Sequence, residues 1–328
     1  MERNERIDFY KAMLMLGVVW GHCITNLLVG DDNTIGIHVI VRTYDMPMFM
    51  LISGYFLAFS MEKRTWSTLV KEKVMRIALP MIFWGLLICK GKVINVFDCF
   101  YFLSALFLSS IVVLTIGKIN KLCIQIITFI FVTIVLNFIP LYLWNLSYLF
   151  PYFVLGYLAN VNKVHNPSSA TYGGGIFLWI ISLCFWDKSF SIWNTGTYFK
   201  FGITSEFVLI VAFRYFIALV GALAFVKICD ILYDYFQNRR KAVFDIFVNS
   251  GKETLMIYIL HVIPLIVINK MMIMIKEYLG YNPLNLNELL LGYVIAPILA
   301  ISLIFMITWV LRYVKRYQYS RIVCGYKN

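Results

Sequence analysis

The stretch Ile7–Gly30, IDFYKAMLMLGVVWGHCITNLLVG, decides the fold class. It is apolar over more than the about 20 residues that a helix needs to cross a bilayer. It nevertheless carries Asp8, Lys11 and His22. An ionisable side chain in a spanning helix is costly and marks a functional site by default. Lys11 and His22 are eleven residues apart. At ~100° per residue they share one helix face, separated by ~16 Å along the axis. Asp8 lies three residues before Lys11, the spacing of a surface ion pair. One face therefore carries polar groups at two depths, as a route through a membrane requires.

The rest of the chain repeats the apolar pattern. Hydrophobic residues make up 61% and charged residues 14% of 328, with a mean hydropathy of +0.79. A soluble domain has more charge and less apolar content. Ten candidate spans follow, near 8–29, 37–60, 75–92, 98–116, 122–139, 143–161, 171–187, 205–229, 254–275 and 288–311. The seventh is short and interrupted by glycines 173–175. The expected fold class is therefore all-α: a polytopic integral membrane helical bundle of about ten transmembrane helices. No polar stretch is long enough to fold separately, so residues 1–328 read as one domain with a basic tail over 312–328 and no extra extracytoplasmic domain. The net charge of +12 sits in short connectors, which argues against a nucleic-acid partner. Lys and Arg collect on the side holding both ends, so both termini are expected in the cytoplasm. The seven cysteines are scattered, with no C-x-x-C pair, and imply neither a disulfide framework nor a metal site. No cleavable leader is evident, so the first apolar run is expected to remain as the first span.

The second span contains VRTYDMPMFMLISGYF, Val41–Phe56. Folding a hairpin about Asp32 and Asn33 puts Arg42 and Asp45 near the depth of His22, and Ser53 and Gly54 near that of Lys11. Asp45 is then a candidate carboxylate to fix the His22 tautomer, and Pro47 is expected to kink the helix. Arg214 reads as a partner for Glu206 or a carbonyl. His261, two turns inside the ninth span, stays open between roles. His38 and His165 lie near span ends and are expected to be solvated.

These motifs resemble the acyltransferase-3 family of membrane O-acyltransferases. In IDFYKAMLMLGVVWGH the resemblance is to a first-helix signature of a basic residue, ten spacers and His, here Lys11 and His22. DMPMFMLISGYFL resembles the second-helix motif, with Asp45 where the sugar-acetylating branch often has His. KEKVMRIALPMIFW resembles an Arg-x-x-Arg…Pro motif opening helix 3, with Lys73 at the first Arg. LFPYFVLGYLA and GKETLMIYILHVIPL resemble later motifs. CFYFLSALF stands where Leu-Trp-Phe often opens helix 4. The likeness covers nearly the whole chain.

The resemblance implies a cytoplasmic-membrane enzyme that moves an acetyl group from cytoplasmic acetyl-CoA to a hydroxyl of a lipid-linked or surface glycan, such as O-antigen, capsule or exopolysaccharide. Catalytic roles then fall to His22, Lys11, Asp45 and Arg42. The donor falls to Lys71, Lys73, Arg76, Arg64 and Ser53, whose cations suit phosphates. His22 is the expected general base, with a covalent acetyl-His22 as the alternative. Arg42 or Arg214 is the expected oxyanion partner. A flippase for a lipid-linked sugar, with the same charges and no CoA site, is the rival reading. A polysaccharide polymerase is disfavoured by the short connector near Trp186–Thr204.

Overall fold

Asn4 starts the first helix. Its side-chain oxygen accepts from the backbone N–H groups of Arg6 (3.1 Å) and Ile7 (3.4 Å), satisfying two of the donors every helix start leaves open. From there α1 runs without interruption over Glu5–Leu27, so Lys11 and His22 do sit on one rigid helix. The computed structural model describes residues 4–28, 36–138, 144–164, 167–187, 190, 204–279, 290–315 and 324. His165 and the expected hairpin centre at Asp32 and Asn33 lie outside the described residues.

Every apolar range read from the sequence contains helix, and no strand occurs among the described residues. The remaining elements are α2 (Gly36–Met61), α3 (Trp66–Lys73), α4 (Leu79–Ile88), α5 (Val93–Cys99), α6 (Tyr101–Ile116), α7 (Leu122–Phe138), α8 (Trp144–Val161), α9 (Ser169–Cys184), α10 (Ser205–Arg239), α11 (Lys241–Lys252), α12 (Thr254–Leu260), α13 (Val262–Leu279) and α14 (Ala296–Val314). Among the described residues four helical stretches are each long and apolar enough to cross a membrane: Glu5–Leu27, Val208–Arg239, Thr254–Ile275 and Leu291–Val314.

Prolines explain where the helices change pitch. Pro80 and Pro297 stand at the starts of α4 and α14, and each follows a π-helical turn, Val74–Ala78 and Leu291–Ile295. A proline lacks an N–H and clashes with the carbonyl four residues back, and a wider turn absorbs both defects. The α2 helix runs through Pro47. The glycines at 173–175 do not break α9.

Lipid exposure shows in what the surface carries. On α7, Ile127, Ile130, Phe131 and Ile134 are more than half exposed. The hydroxyl of Thr128 on that helix turns back to the Ile124 carbonyl at 2.7 Å. A hydroxyl on a lipid-facing helix satisfies itself in this way because no water is there to do it.

The chain forms two compact units: residues 1–45, 172–183 and 220–317 in the first, and 46–171, 184–219 and 318–328 in the second. The first unit is built around α1. Phe9, fully buried, meets Tyr233, Phe236, Phe244 and Phe247 at centroid distances of 5.7–6.3 Å. Phe244 and Phe247 come from α11, whose twelve residues are too few and too polar to span. Its apolar side is the lid over Phe9. A Cβ on Gly251 would lie 1.7 Å from the Asp8 carbonyl oxygen, so only glycine lets α11 reach α1. The α10 helix also outruns the expected end at 229. Its added turns carry Asp230 and Asp234, which hold Arg6 at 3.0 and 3.6 Å.

In the second unit α2 and α8 meet backbone to backbone. A Cβ on Gly54 would stand 1.9 Å from the Phe153 carbonyl oxygen, and one on Gly156 would stand 2.0 Å from that of Leu51. Small residues at such crossings let membrane helices gain close packing where no hydrophobic force between helices exists. Gly156→Leu is therefore expected to exceed the ~1–3 kcal/mol of ordinary overpacking. Thermal unfolding of the detergent-purified protein should show a lowered midpoint. A midpoint equal to that of the unaltered chain would refute the crossing.

Candidate functional site

In the first unit the polar face of α1 has a lower and an upper level. At the lower level Asp8 is only 2% exposed, and the Lys11 ammonium meets it at 3.1 Å. This is the i,i+3 pair expected from the spacing. At the upper level the half-buried His22 ring faces His261, with ring centroids 5.1 Å apart and planes inclined by 42°.

The chemistry of His261 follows from its surroundings. It stands at the joint between α12 and α13, three residues before Pro264. Its Nδ1 lies 3.0 Å from the Ile257 carbonyl oxygen. A carbonyl oxygen only accepts, so Nδ1 carries the proton. In the neutral ring Nε2 then holds the bare lone pair. That Nε2 is buried and makes no hydrogen bond. The result is a tautomer-locked imidazole with an open basic nitrogen beside a second imidazole.

Two further groups reach this level. His38 packs against Gly21, its Cδ2 3.1 Å from where a Cβ would stand, and is only 4% exposed. The expectation that His38 is solvated is corrected: it faces a glycine of α1 that leaves room for its ring. Arg42 stands one helical turn beyond His38 on α2.

The hairpin register differs from the sequence expectation. Gly17 faces Val41 and Gly21 faces His38, which sets Asp45 opposite Met13 and Leu14, roughly 13 Å along the axis from His22. A connector's middle residue fixes the register only when the two helices leave it evenly, and here α1 ends at Leu27 while α2 starts at Gly36. Asp45 is buried between the two levels next to Tyr44, which stacks on Phe225 at 5.2 Å. Thr43 accepts from the Trp179 indole at 3.1 Å.

In the second unit the expected phosphate-binding arginines gather around the Glu72 carboxylate. Glu72 accepts from Arg64, and from Arg76 at 2.9 Å. Both arginines keep nearly half of their side-chain surface open to solvent. Lys71 and Lys73 occupy the last turn of α3, and Lys118 stacks on Trp66 at 4.5 Å. Desolvation draws the half-buried Lys73 ammonium down to about 8, with Glu72 opposing the fall and Arg76 adding to it. Ser53 is half-buried on α2. Arg214, expected beside Glu206 or a carbonyl, has neither among the described residues: its guanidinium lies over the Tyr148 ring. Among the described residues no three His, Cys, Asp or Glu side chains gather as metal ligands.

His261 and Glu72 could have been found from the sequence by one signal each. A histidine three residues before a helix-breaking proline stands where a helix bends, and an acid set among Arg64, Lys71, Lys73 and Arg76 has four cations close to it in sequence.

Comparison with known proteins places the chain among relatives. Nodulation protein NolL of Mesorhizobium japonicum is 29% identical over 181 residues, 48% of this chain and 48% of that protein. Nodulation protein NolL of Sinorhizobium fredii is 24% identical over 225 residues, 60% of this chain and 59% of that protein. The chain thus spans about half the length of the curated relatives it matches. No solved structure matches it. A family model described as an acyltransferase domain matches residues 4–313. With that match over nearly its whole length, and with the histidine-bearing first helix at its centre, the chain belongs to the acyltransferase-3 family.

Proposed function

We propose that this chain is a multi-pass O-acetyltransferase of the bacterial cytoplasmic membrane, transferring acetyl from cytoplasmic acetyl-CoA to a hydroxyl of a lipid-linked or surface glycan such as O-antigen. Family membership supports the reaction class. The observation that carries the reading is the His22–His261 pair, two imidazoles 5.1 Å apart, one with its basic nitrogen buried and open.

The roles divide by chemistry. Arg64, Lys71, Lys73 and Arg76 supply the charge that the donor's phosphates require; arginine binds them bidentately and lysine as a point charge. Ser53 adds a hydroxyl for the donor. Lys11, held by Asp8, positions the thioester end. His22 takes the proton from the acceptor hydroxyl as its oxygen attacks the thioester carbon. The new C–O bond forms, the C–S bond breaks, and the electron pair leaves on the CoA sulfur, which receives the proton back. The bare Nε2 of His261 is a second proton acceptor beside the first. Arg42 stabilises the charge that develops on the carbonyl oxygen. Asp45 sits deeper and holds the polar face between the two levels.

Two experiments test the reading. In proteoliposomes supplied with labelled acetyl-CoA and the host's glycan fraction, His22→Ala and His261→Ala should each slow transfer by ~10²- to 10⁴-fold, the usual worth of a proton-transfer group. The protein should stay inserted at normal levels, and Lys11→Ala should act in the same direction while Lys11→Arg keeps some transfer. Transfer at the unaltered rate in both histidine variants would refute the site.

The second is a pH profile. The Lys73 ammonium is half deprotonated at about 8 and loses the rest of its charge above it, so kcat/KM for acetyl-CoA should fall as pH rises through that value. In Lys73→Arg the alkaline fall should vanish, because guanidinium keeps its proton. An identical profile in both proteins would remove Lys73 from the donor site.

A further inference from the structure

Arg214, on α10 in the second unit, is 3% exposed. Its guanidinium carbon stands 4.1 Å from the centroid of Tyr148. Tyr152 and Tyr215 complete a three-sided aromatic wall, with centroids 5.4 Å (Tyr148–Tyr152), 5.6 Å (Tyr148–Tyr215) and 5.5 Å (Tyr152–Tyr215) apart. The Tyr215 hydroxyl donates to the Ser147 carbonyl at 3.1 Å, which fixes that ring. Two polar groups in the cage are left over. Arg214 Nη1 is buried with no acceptor among the described residues, and the fully buried Tyr152 hydroxyl has the Tyr148 hydroxyl beside it, a partner that can also accept and so leaves the Tyr152 proton free to turn to a ligand.

A guanidinium has five donors, no acceptor and a permanent charge. Removing it from water without a counter-ion is strongly unfavourable. Its attraction to a tyrosine face returns only part of the lost hydration. An arginine kept for packing would hold a carboxylate or a carbonyl, and this one holds neither among the described residues. A cation and a hydroxyl, both with N–H or O–H to give and both walled by rings, are the complement of an oxyanion.

We propose that the Arg214 cage with Tyr148, Tyr152 and Tyr215 is a binding site for an oxyanion, a carboxylate or phosphate carried by a ligand. The anion site stands on this geometry alone. Its assignment to the acidic group of the acceptor glycan rests on the acetyltransferase reading. The anion takes the Nη1 proton and the Tyr152 hydroxyl proton in hydrogen bonds, and the tyrosine rings give a sugar an apolar wall.

The test uses the full chain in phosphatidylcholine nanodiscs and reads its thermal midpoint. The probes are glucuronate, glucose 1-phosphate, inorganic phosphate and neutral glucose, and a parallel set uses phosphatidylglycerol discs. Glucuronate or glucose 1-phosphate should raise the midpoint of the unaltered protein, and glucose should not. Arg214→Met should abolish the rise, and Arg214→Lys should retain part of it. Without ligand, Arg214→Met should melt at or above the unaltered chain, because it removes an uncompensated charge. A rise with inorganic phosphate or phosphatidylglycerol alone, still lost in Arg214→Met, supports the oxyanion site and overturns its assignment to the glycan. No rise with any anion, an equal rise in Arg214→Met, or an Arg214→Met protein that melts lower without ligand overturns the site. Acetyl-CoA protection is read on the same samples. Its absence with anion protection intact strikes the acetyltransferase reading alone, and the reverse strikes the cage alone.

Discussion

A polar group carried into a bilayer has to find its partner inside the protein, because lipid offers none. The described structure obeys that constraint at many points. The Trp20 indole donates to the Gly292 carbonyl at 2.8 Å, in the π turn that precedes Pro297. The Trp179 indole donates to Thr43. Asp230 accepts from both Arg6 and Tyr10, and Glu253 holds Lys315. Buried serines such as Ser104 and Ser110 turn to carbonyls of their own helices. Each satisfied pair ties one helix to another or seals a helix against itself.

Among the described residues five side-chain atoms depart from that rule, and three of them, on His261, Arg214 and Tyr152, fall where chemistry is proposed. His261 leaves a basic nitrogen open beside His22, and Arg214 leaves a guanidinium donor open within a tyrosine wall. An open acceptor suits a proton arriving from a hydroxyl, and an open donor suits an arriving anion. Trp84 Nε1 and Ser109 Oγ are also unsatisfied, and neither stands beside a group to which a role is given.

Glycine sets how closely the helices carrying these groups approach. Gly251 brings α11 onto α1 at Asp8, and Gly21 makes room for the His38 ring. Gly54 and Gly156 join α2 to α8, the helix that bears Tyr148 and Tyr152. In each case the missing side chain is what permits backbone contact, and the packing that follows holds polar side chains in place without water.

The sequence by itself determined the membrane class, the helical content and the first-helix polar face. Hydropathy and a fixed rise per residue are local properties, so the Lys11–His22 relation and the Asp8–Lys11 pair could be read directly. Family likeness could be read as well, since it resides in short motifs. Only the tertiary structure decided which groups meet. His261 is 239 positions from His22, and no spacing rule joins them. The register of α2 against α1 depends on side-chain fit at Gly17 and Gly21 rather than on the connector, and this moved Asp45 away from His22. The short helix α11 is stable only because its apolar side covers Phe9. Arg214 looked like half of an ion pair until the surrounding side chains proved to be tyrosines, because burial and partners are properties of packing and not of order along the chain.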